Sequence, residues 1–347
     1  MMAHYTIHTG DNQLILDPYP DCHFDAIITD PPYGIEFLGK DWDANTGAIN
    51  TWRQCMRVLK PGGYLLAFSA ARTYHHLASN IESVRFEIRD QLMWLYASGF
   101  PKAQDIGKAI DRRGADGTEW AGWKTALKPA HEPIVMARKP FKGSTIDNVL
   151  QHGVGALNID ESRIPYAGEA DFEEYVHNIK GPLERSTATH GDNVGMFDGN
   201  TGFKAQKGKV VLPQGGANGL SRLTFGEGET SNEDSFLSYT PNEQGRFPSN
   251  VMGEIEGYQK YFYCPKVSRR ERMPFNNHPT VKPVALMRYL IQLVVPKNSI
   301  ILDPFTGSGS TGMAATELGH TFVGCELDPR YVAIAKRRIE GWLKPQK

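Results

Sequence analysis

Asp30-Pro31-Pro32-Tyr33, followed by Gly34, stands at the end of the apolar run from Phe24 to Thr29. Prolines carry no backbone donor, so a strand ending this way is stiff and presents acceptors: the Asp30 carboxylate and the Pro31 carbonyl. Two acceptors suit an amino group with two N–H bonds. An exocyclic amine on an aromatic ring is a poor nucleophile because its lone pair is delocalised into the ring. Holding both N–H groups favours a geometry in which that lone pair can attack. Tyr33 adds an aromatic face on which a base taken out of a duplex can stack. Alone, the tetrapeptide also fits a proline turn, with Asp30 as a cap and Tyr33 in the core.

A second cluster lies near the other end of the chain. An apolar run closing at Leu302 leads into Asp303-Pro304-Phe305-Thr306-Gly307-Ser308-Gly309-Ser310-Thr311-Gly312 and then a helical pattern. Gly307, Gly309 and Gly312 fit G-x-G-x-x-G, and Glu326 ends the next strand, where a ribose-binding acid belongs. A nicotinamide dinucleotide is one ligand for such a loop, but its pyrophosphate would meet the Asp303 carboxylate. S-adenosylmethionine carries an ammonium and a sulfonium and no phosphate, so Asp303 attracts it while the glycines let the backbone approach its methionine part. The G-K-[ST] ending of a nucleotide-phosphate loop is missing. Two strand tips of one parallel sheet would bring a methyl donor and an amino acceptor to the same edge.

The elements that must position these clusters are legible as three zones. Phe24 to Thr29 reads as a buried strand, Trp52 to Leu59 as a helix stopped by Lys60-Pro61-Gly62-Gly63, and Tyr64 to Phe68 as the next strand. Gln91 to Tyr96 and Glu132 to Ala137 read as further strands, with a helix over Ala103 to Asp111 between them. From Phe141 to Pro274 periodicity fades and Gly, Asn, Ser and Thr accumulate, most densely from Gly181 to Gly228, a stretch expected to be mobile without a partner. Order returns with a helix from Val284 to Leu293 led by Pro283. A strand from Ser299 to Leu302, a helix from Gly312 to Leu318, a strand from Thr321 to Cys325 and a basic helix from Tyr331 to Trp342 follow.

Composition bounds the answer. The 347 residues are 40% hydrophobic with a net charge of −1, and no apolar stretch approaches the length of a membrane span. The N-terminus lacks a secretory pattern, so a cytoplasmic location is expected, in a bacterial or phage-infected cell. Cys22, Cys55, Cys264 and Cys325 lie too far apart for a local zinc or dithiol motif, and no metal is required. Three basic patches stand out against the near-zero total: Lys102 to Lys108 with Arg112 and Arg113, Arg138-Lys139 with Lys142, and Lys266, Arg269, Arg270 and Arg272.

Taken together, the tetrapeptide and the glycine loop resemble the signature of the amino-group DNA methyltransferases. Their order, with the tetrapeptide first and the donor loop last, resembles the β group of that family, a circular permutation of the usual methyltransferase chain. Gly10-Asp11 resembles the segment near the donor's adenine, which implies Asp11 as a donor ligand. Val58-Leu59-Lys60-Pro61-Gly62-Gly63 resembles the helix end after the catalytic tip. His278-Pro279-Thr280-Val281-Lys282-Pro283 resembles the segment near the donor's methionine carboxylate, which implies Thr280 and Lys282 as donor ligands. Ala130-His131-Glu132-Pro133-Ile134-Val135 with Gly155-Ala156-Leu157-Asn158-Ile159 resembles methyltransferases common in phages and prophages.

The resemblance implies an α/β, Rossmann-like methyltransferase with a mostly parallel sheet, in which Gln91 to Tyr96 and Glu132 to Ala137 form a terminal antiparallel pair. Residues 1–140 would be the catalytic half, 141–274 an inserted target recognition region, and 275–347 the half that binds S-adenosylmethionine. Asp30, Pro31, Pro32 and Tyr33 would be catalytic; Asp303, Pro304, Phe305, Gly307, Ser308, Gly309 and Glu326 would join Asp11, Thr280 and Lys282 around the donor. The expected activity is site-specific methylation of adenine N6 in double-stranded DNA, with cytosine N4 as the alternative, in a chain compatible with a homodimer and with a restriction-modification role. RNA or protein-amide methylation, a non-catalytic DNA-binding subunit and a nicotinamide-dependent oxidoreductase stand as rivals.

Overall fold

The computed structural model describes residues 4–35, 45–96, 103–175, 205–206, 209–210, 242–253 and 268–344. In chain order the elements are β1 (Tyr5–Thr9), α1 (Asn12–Leu16), β2 (Phe24–Thr29), α2 (Ile49–Val58), β3 (Leu59–Phe68), α3 (Tyr74–Ser83), β4 (Glu87–Leu95), α4 (Ile106–Asp111), β5 (His131–Arg138) and α5 (Thr145–His152). After the short strands β6 (Ala205–Gln206) and β7 (Lys209–Val210) come β8 (Val251–Gly253), α6 (Arg269–Arg272), α7 (Val284–Val294), β9 (Ile300–Asp303), α8 (Ser310–Glu317), β10 (Thr321–Glu326) and α9 (Pro329–Leu343). The stretch from Gly181 to Gly228 lies outside the described residues apart from β6 and β7, which pair antiparallel.

Eight strands form one sheet in the order β1-β10-β9-β2-β3-β5-β4-β8. The pairs β1–β10, β10–β9, β9–β2, β2–β3 and β4–β8 are parallel, while β5 runs antiparallel to both β3 and β4. Every residue of β2 is buried, as a central strand covered on both faces requires. Successive side chains alternate between the faces. Ala26 and Ile28 pack with Leu290 and Met313 of α7 and α8 and with Ile339 of α9, whereas Ile27 packs with Trp52 and Cys55 of α2 and Leu77 of α3, a face that Phe24 shares because the register shifts between it and Ala26. This is a Rossmann-like α/β architecture.

The antiparallel pair is present but not terminal. β4 exposes an outer edge of unpaired backbone groups, and β8 fills it: Met93 N–H donates to the Asn250 carbonyl at 2.8 Å, and Met93 to Leu95 register with Val251 to Gly253. Three residues carry no readable period, so the sequence held no signal for this strand. Only Ile7 of the five residues of β1 is buried, so no apolar run marks that strand either. Lys60 to Gly63, read as a break, instead belongs to β3, and the register against β2 shifts between Phe24 and Ala26. Gly62 is required there: at φ +80, its added Cβ would stand 2.1 Å from Asn148 Nδ2, the group through which α5 binds the Pro61 carbonyl.

The chain divides into two compact units, Met1–Ile164 with Phe247–Lys347, and Pro165–Arg246. Both α5 and β8, from the span read as the insert, pack with the first unit. Within the second, the Arg246 guanidinium meets both carboxylate oxygens of Asp171 at 2.8 and 2.7 Å. The Tyr166 ring lies 4.7 Å away and that of Tyr175 5.2 Å away. No helix among the described residues is long and apolar enough to cross a membrane.

Candidate active site

Because β2 and β9 are neighbours, with Ala26 beside Ile301 and Ile27 beside Leu302, the two motifs emerge side by side at the strands' carboxyl ends. They open on one cleft of roughly 1800 Å³. Asp11, Asp30, Pro31, Pro32, Tyr33, Thr280, Lys282, Asp303, Pro304, Phe305, Gly307, Ser308 and Glu326 all line it. Gly309 does not. It is buried behind the loop at φ +83, where a Cβ would stand 2.9 Å from that of Ala335, so its requirement is conformational.

On the donor-loop side, Asp303 is buried at the tip of β9 and its Oδ1 accepts from Thr29 Oγ1 at 2.7 Å and from Phe305 N–H at 3.1 Å. Burial pushes its carboxyl up to about 6, against the hydrogen bonds from Thr29, Thr311 and Phe305 that favour the anion. Glu326 fixes the loop from the next strand: one oxygen accepts from Gly307 N–H at 2.8 Å, the other from Asp328 N–H at 2.9 Å. Burial raises its pKa, opposed by those amides. Asp11 caps α1 through Gln13 N–H, and the adjacent Asn12 donates to the Pro304 carbonyl at 3.1 Å. Behind the loop, fully buried Arg338 donates to the carbonyls of Ser308 and Glu271.

His278 lies under the loop. Its Nδ1 is 2.6 Å from the Thr280 carbonyl, and its ring meets that of Tyr331 edge-on at 4.5 Å. Burial lowers its pKa, which favours the neutral imidazole. A Cβ on Gly307 would stand 3.1 Å from the ring's Nε2, so glycine allows loop and imidazole to touch.

The acceptor side is a four-residue network drawn from three parts of the chain. Lys282 Nζ donates to Asp30 Oδ2 at 2.6 Å and to Tyr33 Oη at 2.9 Å, and lies 3.2 Å from Glu132 Oε2. The Tyr33 hydroxyl lies 2.8 Å from Asp30 Oδ1 and 3.0 Å from Glu132 Oε2. A phenol has one proton, so it donates to one carboxylate at a time. Burial first, then the two neighbouring carboxylates, raise the Tyr33 pKa well above its ordinary value and keep the phenol neutral. For Lys282 burial acts to lower the pKa, but Asp30 and Glu132 outweigh it and hold the ammonium charged. Family resemblance gives Lys282 to the donor's carboxylate; here its ammonium sits on Asp30.

Glu132, Asn12 and Arg338 are among the participants that sequence reasoning did not single out. A carboxylate followed by five buried strand residues was the available signal for Glu132. For Arg338, a charged residue on the apolar stripe of α9 was the corresponding sign.

The family model described as DNA methylase, covering N6 and N4 enzymes, matches residues 24–337. Among curated proteins, the chain is 39% identical to the DNA adenine methyltransferase YhdJ of Escherichia coli over 96% of this chain and 82% of that protein. It is 26% identical to the type II methyltransferase M.HindIII of Haemophilus influenzae, over 90% and 88% of the two chains. The solved structure of PvuII DNA methyltransferase, described as cytosine-N4-specific, shares the fold at 12% identity and a TM-score of 0.50, covering 97% of this chain and 87% of that one. With the match spanning both strand tips and most of what lies between them, the chain belongs to the N6/N4 DNA methylase family and is a DNA methyltransferase.

Proposed function

We propose that the chain methylates adenine N6 at a specific sequence in double-stranded DNA, acting on a base flipped into the cleft. The observation that carries this reading is the meeting of the Asp30–Tyr33 acceptors and the Asp303–Glu326 loop on one cleft. The choice of adenine is supported by Asp at the head of the tetrapeptide and by the adenine methyltransferase that is 39% identical.

S-adenosylmethionine supplies a methyl group on a cationic sulfur. The donor side fits such a cation: Asp11, Asp303 and Glu326 line it, and an ammonium beside Asp303 would favour the anion that burial disfavours. Asp30 and the Pro31 carbonyl accept the two N–H bonds of the target amine. Each carboxylate oxygen has two lone pairs, so Asp30 keeps acceptor capacity beside Tyr33 and Lys282. Lys282 orients Asp30 through its 2.6 Å hydrogen bond, and Glu132 steadies both Lys282 and Tyr33. The proton shed by the alkylated nitrogen passes to Asp30 or water. The insert is assigned to reading the DNA sequence, and the reaction places the protein in the cytoplasm with its DNA.

Donor affinity should depend on pH with a defined sign. A cationic ligand prefers ionised Asp303, whose raised pKa is about 6. Binding is therefore full above that value, and below it weakens by up to about tenfold per pH unit. Calorimetric titration across the weakly acidic range checks this, and an affinity flat across it would detach Asp303 from the donor. The base itself is read by nucleoside mass spectrometry, with methylation-aware sequencing giving the site. N6-methyladenine is expected, and N4-methylcytosine in its place would change the base while leaving the enzyme class intact.

A further inference from the structure

Antiparallel neighbours such as β4 and β5 can be joined by a two-residue turn, yet a folded excursion, described from residue 103 to 130, stands between them. It closes on itself. Asp105 caps α4 through Lys108 N–H and pairs with Lys124 at 2.8 Å, and Ile106 N–H donates to the Trp123 carbonyl at 3.0 Å. Gly107 packs so tightly on the following turn that a Cβ would stand 3.0 Å from the Gly117 carbonyl oxygen.

The outer surface of this excursion combines apolar exposure with positive charge. Trp120 and Trp123 are 44% and 60% exposed and meet edge-on at 5.4 Å, while Leu127 is 91% exposed. Of its acids, Asp105 pairs with Lys124, Asp111 and Asp116 are tied to Gly117 N–H and to Thr118, and Glu119 is exposed, which leaves five basic against four acidic side chains. Lys108, Arg112 and Arg113 are exposed, with no ion pair to a described residue. By contrast, Arg138 of the second basic patch is held by Glu87, and Lys139 by the carbonyls of Arg57 and Leu59. The run from Ala126 to Glu132 also forms part of the cleft wall that holds Asp30.

We infer that this excursion is a DNA-docking surface separate from the insert, with Leu127 entering the base stack where the target base leaves it. The inference rests on the methylation reading above. A duplex that delivers a base to the cleft must lie across its rim, and Leu127 is on that rim. The gap left by a flipped base is filled by apolar wedges in proteins that unstack DNA. Arg112 and Arg113 supply charge for the flanking phosphates, and the exposed indoles supply apolar, stacking surface.

The test uses the full chain and a duplex carrying its site, once sequencing has identified it. Target bases are presented either normally paired or opposite an abasic position, where flipping costs less. Leu127→Ala removes an exposed side chain, so folding and donor binding are expected to be unchanged. Its kcat/KM should fall at least about tenfold on the paired duplex and recover to within about threefold of wild type on the abasic one, because an unpaired base needs little help to leave. Trp120→Ala with Trp123→Ala should raise KM for both duplexes several-fold. Wild-type activity with all variants unchanged overturns the surface alone, and an equal loss from Leu127→Ala on both duplexes overturns the wedge. A wild-type chain inactive on DNA but folded and donor-bound would overturn the methylation reading and this surface with it.

Discussion

Asp30→Ala is expected to lower kcat for methyl transfer by about a hundred- to a thousandfold, the range seen when one aligned charge-stabilising partner is removed from a reacting group. The reason is specific to the site. Asp30 stands at the tip of β2 with its two oxygens set by Lys282 and Tyr33, so its remaining lone pairs point where those partners leave them. Alanine removes the acceptor and leaves the Pro31 carbonyl alone to hold the amine. Lys282 retains Glu132 at 3.2 Å, so the fold should survive. Donor affinity should stay within a few-fold of wild type, since Asp30 serves the acceptor half. Single-turnover kinetics with a calorimetric titration separate the two effects, and near-wild-type turnover by pure mutant protein would remove Asp30 from the mechanism.

Lys282→Met is expected to damage both stability and catalysis. The ammonium is buried among Asp30, Tyr33 and Glu132, and removing one partner of a buried charge cluster typically costs about 3–5 kcal/mol, because the remaining charges lose their compensation. Its raised pKa fixes the pH window of that contribution. The stability is fully present below the unfolded lysine pKa and is lost only as pH rises through the higher folded value, so it is intact at neutral pH. In the variant, two carboxylates face one phenol with no cation between them, and the hydrogen bond that sets Asp30 Oδ2 is lost. At neutral pH kcat should therefore fall, by less than when Asp30 itself is removed, because the carboxylate is still present but no longer held by the ammonium. Urea denaturation reads the first effect and single-turnover kinetics read the second. A variant with wild-type stability and wild-type kcat would show that Lys282 does not position Asp30.

Asp30→Ala and Lys282→Met also separate roles that geometry has brought together. Loss of Asp30 removes an acceptor for the target amine, whereas loss of Lys282 removes the hydrogen bond that orients an acceptor still present. If both variants lost kcat equally, carboxylate and ammonium would act as one unit, with no acceptor function left to Asp30 without Lys282.

The sequence by itself determined the chemistry-bearing tips and their order. A run such as Phe24 to Thr29 is apolar throughout because both faces of a central parallel strand are covered, and Asp30-Pro31-Pro32 must end it because prolines cannot continue the ladder. Asp303 and the glycine loop are legible for the same local reason, as a strand, a tight turn at positive φ and a helix start within a dozen residues. Tertiary structure alone decided which distant groups meet there. Lys282 and Glu132 lie 252 and about a hundred residues from Asp30 and Tyr33, respectively, and reach them only because β5 pairs with β3 and α7 starts beside the β2 tip. It also decided that β8 completes the outer edge of β4 and that Arg338 is a strut for the Ser308 loop and not a solvated cation. Local period reports which face of an element is covered, while partner choice across the sheet depends on strand order, which no local pattern encodes.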